Sequence, residues 1–225
     1  MIERSKDLMV HAGATWVLWL LVALSIVALT FVFDRLRVFH RQRAPITALV
    51  PELHRLLSRG DVETAARVLK DARGVASAVA LAGLAQWRYG RVAVEEAMSA
   101  ALGLERTELE RRLLFLGTIG SNAPFVGLLG TVIGIVGAFD ELSRTRTSAA
   151  DIGALAPEGV MATIAEALVV TAVGLIVAIP AVALFNYFQG KLNSIADDAR
   201  TLGHVLLAHV EPSSGRFPMG ANDGK

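Results

Sequence analysis

Apolar residues in this chain are gathered into three runs rather than spread along it at the spacing of a water-soluble core. The first, Trp16 to Phe33 (WVLWLLVALSIVALTFVF), has 18 residues without a charge. As a helix it rises about 27 Å, enough to cross a bilayer. A second run goes from Leu113 to Phe139 and a third from Val160 to Phe188. Both exceed the roughly 20 residues a span needs, so their ends are expected to project beyond the hydrocarbon. Between the first two runs, Pro45 and Pro51 bracket a predicted turn. Leu53, Leu56 and Leu57, and past Gly60-Asp61 Val62, Ala65, Ala66, Val68 and Leu69, then form an apolar face at helical spacing, predicting a short helical hairpin. From Val92 a helical pattern continues without proline into the second run, which predicts that this span is the membrane end of a longer helix. Beyond Glu211 the tail EPSSGRFPMGANDGK has no apolar period and is expected to be disordered.

This pattern predicts an all-α integral membrane protein with three transmembrane helices, spans two and three extending into the cytoplasm. The order is an outer N-terminal segment (1–15), span one (16–33), a cytoplasmic helical segment (34–112), span two (113–139), an outer loop (140–159), span three (160–188) and a cytoplasmic tail (189–225). Orientation comes from the basic residues near the span ends. Arg35, Arg37, Arg41 and Arg43 follow span one and Arg106, Arg111 and Arg112 precede span two, against only Arg4 and Lys6 before span one and Arg144 and Arg146 after span two. That puts the N-terminus outside and the C-terminus inside. Trp16 and Trp19 would anchor the outer end of span one. A retained helix is expected over a cleaved signal peptide, because the apolar stretch is too long, Glu3 and Asp7 precede it, and no small-x-small site follows.

Composition agrees and removes several functions. Of 225 residues, 53% are hydrophobic and 19% charged, with a net charge of +1 and a mean hydropathy of +0.50. These values rule out disorder and fit a water-soluble domain poorly. A near-neutral chain has no electrostatic case for nucleic acid. Without cysteine there are no disulfides, thiolate metal sites or cysteine nucleophiles. The histidines at 11, 40, 54, 204 and 209 show no metal-ligand spacing, and no nucleophile-base arrangement is visible, so neither a metal site nor an enzyme is expected.

Candidate chemistry lies in spans two and three. Gly120, Ala123, Gly127, Gly130, Gly134 and Gly137 recur at steps of three and four, one side of a helix. Such a seam lets backbones approach closely in lipid. It can pack on spans one and three or on another subunit. Packing between subunits is preferred, since three spans offer few partners for so long a seam. GLLGTVIGIVG lacks the spacing of a phosphate loop. Span three contains one ionisable residue, Glu166, with Thr163, Thr171, Pro180 and Asn186. An intramembrane carboxylate costs about 2.5 to 3.5 kcal/mol and is by default functional. Thr163-Ile-Ala-Glu166 also has the spacing of a capping box, which would put Glu166 at an interface. Thr171 lies five positions on, about 140° round the helix, and its hydroxyl could bond back to the carbonyl of Ala167. Pro180 should kink the helix and free a carbonyl near Ile176.

Two blocks, LGTIGSNAPFVGLLGTVIGIVGAF in span two and IAEALVVTAVGLIVAIPAVALFNYF in span three, resemble the ExbB/TolQ/MotA proton-channel family, specifically its three-span ExbB and TolQ branch. With the loop between them they cover Leu116 to Phe188, about a third of the chain. The resemblance implies a homopentamer whose second and third helices line a central pore. It also implies a single-span ExbD- or TolR-like partner in that pore, possibly a TonB-like protein beyond it, and an inner-membrane location with a periplasmic N-terminus. Protons would be the transported ion, with no cofactor. Glu166 matches the glutamate of Glu-Ala-Leu, Thr171 the threonine of Thr-Ala-x-Gly-Leu, and Thr131 that of Gly-Thr-x-x-Gly, so all three are expected to face the pore. The essential titrating aspartate is expected on the partner chain. Many members place Pro-Gly-Ile directly before Ala-Glu-Ala-Leu, whereas here Pro157 and Gly159 stand further back, which leaves the depth of Glu166 open.

Two functions are therefore carried forward. The first is an energy-transducing proton-channel subunit. The Ala-Pro-Phe-Val-Gly wording of span two leans toward ExbB, with TolQ-like envelope maintenance or a motility motor as alternatives. The second is a passive membrane scaffold, assembled through the glycine seam and recruiting proteins through its 79-residue cytoplasmic segment.

Overall fold

The structure, a computed structural model, describes residues 15–41, 46–147 and 156–210. In chain order they form α1 (Thr15–Arg41), α2 (Ile46–Ser58), α3 (Val62–Asp71), α4 (Val75–Ala85), a short 3-10 turn (Trp87–Tyr89), α5 (Arg91–Thr147) and α6 (Ala156–Leu207), with no strand among the described residues. Three helices, α1, α5 and α6, are long and apolar enough to cross a membrane. α5 runs for 57 residues and α6 for 52, well beyond the roughly 20 that a span requires. The uninterrupted helix from Val92 onward is therefore present. The stretch set aside as the outer loop, 140–159, is largely helical, since α5 reaches Thr147 and α6 starts at Ala156. Hydropathy marks where apolar sequence ends, and a helix can continue in polar sequence: Ser143 Oγ donates to the carbonyl of Asp140 one turn back. The N-terminal segment and the tail beyond Glu211 lie outside the described residues.

The chain divides into two compact units. The first takes Met1–Arg35 and Arg111–Phe188. Its core is Val17 and Leu21 from α1, Ala123 and Ile133 from α5, and Val170 and Ala178 from α6. α1 buries Val17, Leu21, Ala28 and Val32, one stripe at helical spacing, and exposes Trp16, Trp19, Ile26, Leu29 and Phe33. An apolar exterior of that kind is what a bilayer accepts and water does not. Phe31 stacks on Phe115 at 5.7 Å, and Arg112 Nη1 donates to Asp34 Oδ2 at 3.0 Å. α6 continues through Pro180 to Leu207, and Pro124 is a second proline within a spanning helix, α5.

The second unit takes Leu36–Glu110 and Gln189–Lys225. The predicted hairpin exists as α2 and α3, but Pro51 lies inside α2 instead of closing a turn. A proline there removes one backbone bond; the helix persists because Leu49, Leu53, Leu56 and Leu57 are all buried along it. The Gly60-Asp61 break turns at Gly60 with φ of +73°, and Asp61 caps α3 by accepting from Thr64 N at 3.1 Å. α4, unassigned by periodicity, is apolar all round and buries Val75, Ala76, Val79, Ala80 and Leu84, as a helix central to its unit must. Val94 and Met98 of α5 and Leu202 and Leu206 of α6 are buried in the same unit.

Candidate functional site

Everything that places the candidate residues starts from the glycine seam of α5. A Cβ added to Gly127 would stand 3.1 Å from Thr171 Cα and 3.3 Å from Gly174 Cα. One at Gly174 would stand 2.9 Å from the carbonyl oxygen of Ala123. The two helices thus meet backbone to backbone at Gly127 and Gly174, with no room for a side chain. Gly120 faces Val182, Gly130 faces Val170 and Val17, and Gly134 faces Ala167; only at Gly137 does nothing lie within 4 Å among the seam positions. From Gly120 to Gly134 the seam is occupied by the chain's own α6 and α1, not held open for a second subunit.

That close approach creates the polar contact in the interior. Thr171 Oγ1 donates across to the carbonyl of Gly127 at 2.9 Å, not back to Ala167. The carbonyl is within reach because residue 127 has no side chain. Thr131, one turn further along α5, has its own hydroxyl 3.4 Å from that of Thr171 and donates to Leu128 O at 2.7 Å. Thr131 is buried and Thr171 half-buried. Two uncharged hydroxyls, each able to donate and accept, therefore sit side by side in a wall made otherwise of Val170, Ala167, Val17 and glycine.

Glu166 is exposed and belongs to a different contact. Its Oε1 accepts from Thr15 Oγ1, at the first residue of α1, at 3.3 Å. The capping box is absent: α6 begins at Ala156, seven residues before Thr163, whose hydroxyl instead donates to Gly159 O at 3.0 Å and approaches Glu141 Oε2 at 3.4 Å. Thr15, Glu141 and Gly174 were not singled out from the sequence. Gly174 carries a signal in retrospect, as a buried-face glycine opposite a glycine seam; Thr15 and Glu141 lie at span margins where nothing in the pattern selects them. Among the described residues, no group of three or more His, Cys, Asp or Glu side chains is placed to hold a metal ion.

Comparison with known proteins adds a second line. A biopolymer transport protein ExbB of Xanthomonas campestris pv. campestris is 41% identical over 113 residues, 50% of this chain and 42% of that protein. A Tol-Pal system protein TolQ of Pseudomonas aeruginosa is 40% identical over 118 residues, 49% of this chain and 48% of that one. An ExbB of Aquifex aeolicus is 39% identical over 117 residues, 52% of this chain and 74% of that protein. The chain thus spans under half the length of the first two relatives. ExbB and TolQ names occur at nearly equal identity, so likeness alone does not divide the branches. Residues 69–201, more than half of the chain and inclusive of Thr131, Glu166 and Thr171, match the MotA/TolQ/ExbB proton channel family, and the chain belongs to that family.

Proposed function

We propose that the chain is a subunit of an inner-membrane proton-channel motor that couples the proton motive force to work in the cell envelope, of the ExbB kind that energises TonB-dependent transport across the outer membrane. On this reading it is a homopentamer with its N-terminus in the periplasm and its C-terminus in the cytoplasm. It encloses a single-span ExbD- or TolR-like chain that carries the titrating aspartate. TolQ-like envelope maintenance is the alternative output, and relatives of that name support it equally in identity.

The observation that carries the reading is the hydroxyl pair Thr131 and Thr171, seated between α5 and α6. Hydroxyls relay or solvate a proton without a permanent charge, and the glycine contact beside them limits free water. Glu166, five residues before Thr171 on α6, supplies a carboxylate on the exposed surface. Moving one charge through the membrane potential releases about 2.3 kcal/mol per 100 mV, enough to bias a mechanical step. The scaffold alternative loses one of its two cues, since the seam is mostly used within the chain.

The test is to express Thr171→Val and Glu166→Gln with a single-span ExbD- or TolR-like chain and to measure proton-driven uptake in cells. Losing one interhelical hydrogen bond in a membrane costs on average about 0.6 kcal/mol, too little to unfold the complex. Uptake is expected to fall to background while the complex stays intact. Normal uptake in both variants, with the complex intact, removes the ion-path assignment.

A further inference from the structure

In the second unit, α2 and the turn after α6 bring two histidines and a serine together. His209 Nδ1 lies 2.9 Å from the carbonyl oxygen of Val205. A carbonyl only accepts, so Nδ1 carries the proton and the lone pair is on Nε2. Nε2 lies 3.1 Å from Ser58 Oγ, and His54 Nδ1 lies 3.5 Å from the same oxygen. The Ser58 hydroxyl has one proton for two acceptors, the carbonyl of His54 at 2.7 Å and His209 Nε2 at 3.1 Å. His209 Nε2 thus turns its lone pair toward Ser58 and His54, where a cation can take the place of the serine proton as its partner.

We propose that His54, Ser58 and His209 form a site for a divalent transition-metal cation of the zinc class. Spacing supports this independently of the protonation argument. The two ring centroids are 4.8 Å apart with the planes at 85°. A zinc-imidazole bond of about 2.0 to 2.1 Å puts each centroid about 3.2 Å from the ion, so two rings at a ligand angle of about 90 to 110° have centroids about 4.5 to 5.2 Å apart. Neighbouring ligand atoms round such an ion are about 2.9 to 3.4 Å apart. The separation of 3.1 Å between Ser58 Oγ and His209 Nε2 falls at that spacing, and that of 3.5 Å between Ser58 Oγ and His54 Nδ1 lies just beyond it. Small ring rotations and a turn of the Ser58 hydroxyl admit the ion without moving α2.

Two imidazoles and a hydroxyl, without a carboxylate, suit borderline ions and not magnesium or calcium. The carbonyl of Val205 acts as the outer partner that orients His209. His54 and Ser58 are exposed, so water completes the coordination. Binding joins α2 to the end of α6 within this unit and stabilises it, because the unfolded chain does not hold the two rings together. Neither histidine lies in residues 69–201, and the site does not depend on the ion path proposed above.

The test uses tag-free full-length chain in nanodiscs, titrated calorimetrically with zinc chloride in a non-chelating buffer. One saturable equivalent is expected. His54→Ala or His209→Ala should lower its affinity by at least about tenfold, the scale set by losing even an outer-shell partner. His204→Ala, on α6 outside the cluster, should leave it unchanged. Should either variant fold poorly, X-ray absorption on the wild-type zinc complex decides, with two imidazoles in the shell as the expected result. An oxygen-only shell, the absence of saturable binding, or binding untouched by both histidine changes overturns the site.

Discussion

In the unit built from α1 and the spanning parts of α5 and α6, glycines lie against helix backbone: Gly127 on Thr171 and Gly174, Gly120 on the amide of Val182. In the other unit the glycines that are packed, Gly83 and Gly203, meet side chains, Met98 above all, whereas large side chains are fully buried in both units, Leu53, Leu69, Leu202 and Leu206 here and Leu21, Leu113, Leu116 and Phe188 in the first. The solvents account for the difference. Between helices in lipid there is no hydrophobic gain, since the tails are as apolar as leucine, so association relies on close van der Waals contact and interhelical hydrogen bonds. In water each leucine removed from solvent contributes about 1.5 to 3 kcal/mol, and bulk is an advantage. Enlarging a residue at the glycine-to-backbone contact and shrinking a leucine in the other unit should therefore both destabilise, by different routes.

The largest effect is expected from enlarging the glycine contact. Gly127→Leu places a side chain where even a Cβ is 3.1 Å from Thr171 Cα. Backbone cannot rotate away, so the cost should exceed the about 1 to 3 kcal/mol typical of overpacking and also break the bond from Thr171. Loss of folded chain from detergent extracts is the expected reading. Gly137→Leu, with nothing within 4 Å in the chain, should extract normally. Assembly that fails with a folded Gly137→Leu chain would assign that end of the seam to a subunit contact. Equal yields for both variants break the comparison.

Shrinking a residue in the other unit should be milder and local. Leu53 is fully buried on α2, and Leu53→Ala should cost about 2 to 5 kcal/mol through lost burial and a cavity. Hydrogen exchange should show faster opening of α2 and α3 while the spanning parts of α5 and α6 keep their protection. If exchange quickens equally in both units, they are not separately cooperative and the contrast between two cores fails.

How much of this was open to reading follows from the same physics. Three spans were legible because an uncharged apolar run of that length has few other uses, and α2 and α3 because Leu53, Leu56, Leu57 and Leu69 keep helical period. Helix ends were not legible, since α5 keeps its backbone bonds through polar residues as far as Thr147. The seam was visible on α5, but period on one helix does not name its occupant; that required the facing Gly174 to be set against Gly127 by the fold. Thr171 stood out as a polar residue within a span and Thr131 through the resemblance, whereas the bond from Thr171 to Gly127 O exists only once two helices are in place. α4 escaped because a helix apolar on every side has no period to detect.

The smallest expected effect lies in charge, and it should touch only the unit that holds Asp61 and Asp198. Asp61 accepts hydrogen bonds at the start of α3, chiefly from Thr64, which hold its carboxyl below the usual carboxylate range. Its folded value is depressed, so its contribution to stability is present above the unfolded carboxylate value of about 3.9 and is lost as pH falls through the lower folded value. Asp198 on α6 is the opposite case: burial first, and then the neighbouring charge of Asp197, raise it. Its folded form favours the proton, so its charge opposes folding once pH rises above the folded value. Asp198→Asn should therefore slow hydrogen exchange in the second unit slightly at neutral pH, an advantage that vanishes in acid, whereas Asp61→Ala should hasten exchange at neutral pH and make less difference in strong acid. The spanning parts of α5 and α6 should respond to neither change. A pH-dependent response there would mean that the two cores share their electrostatics, and the division by solvent would have to be redrawn.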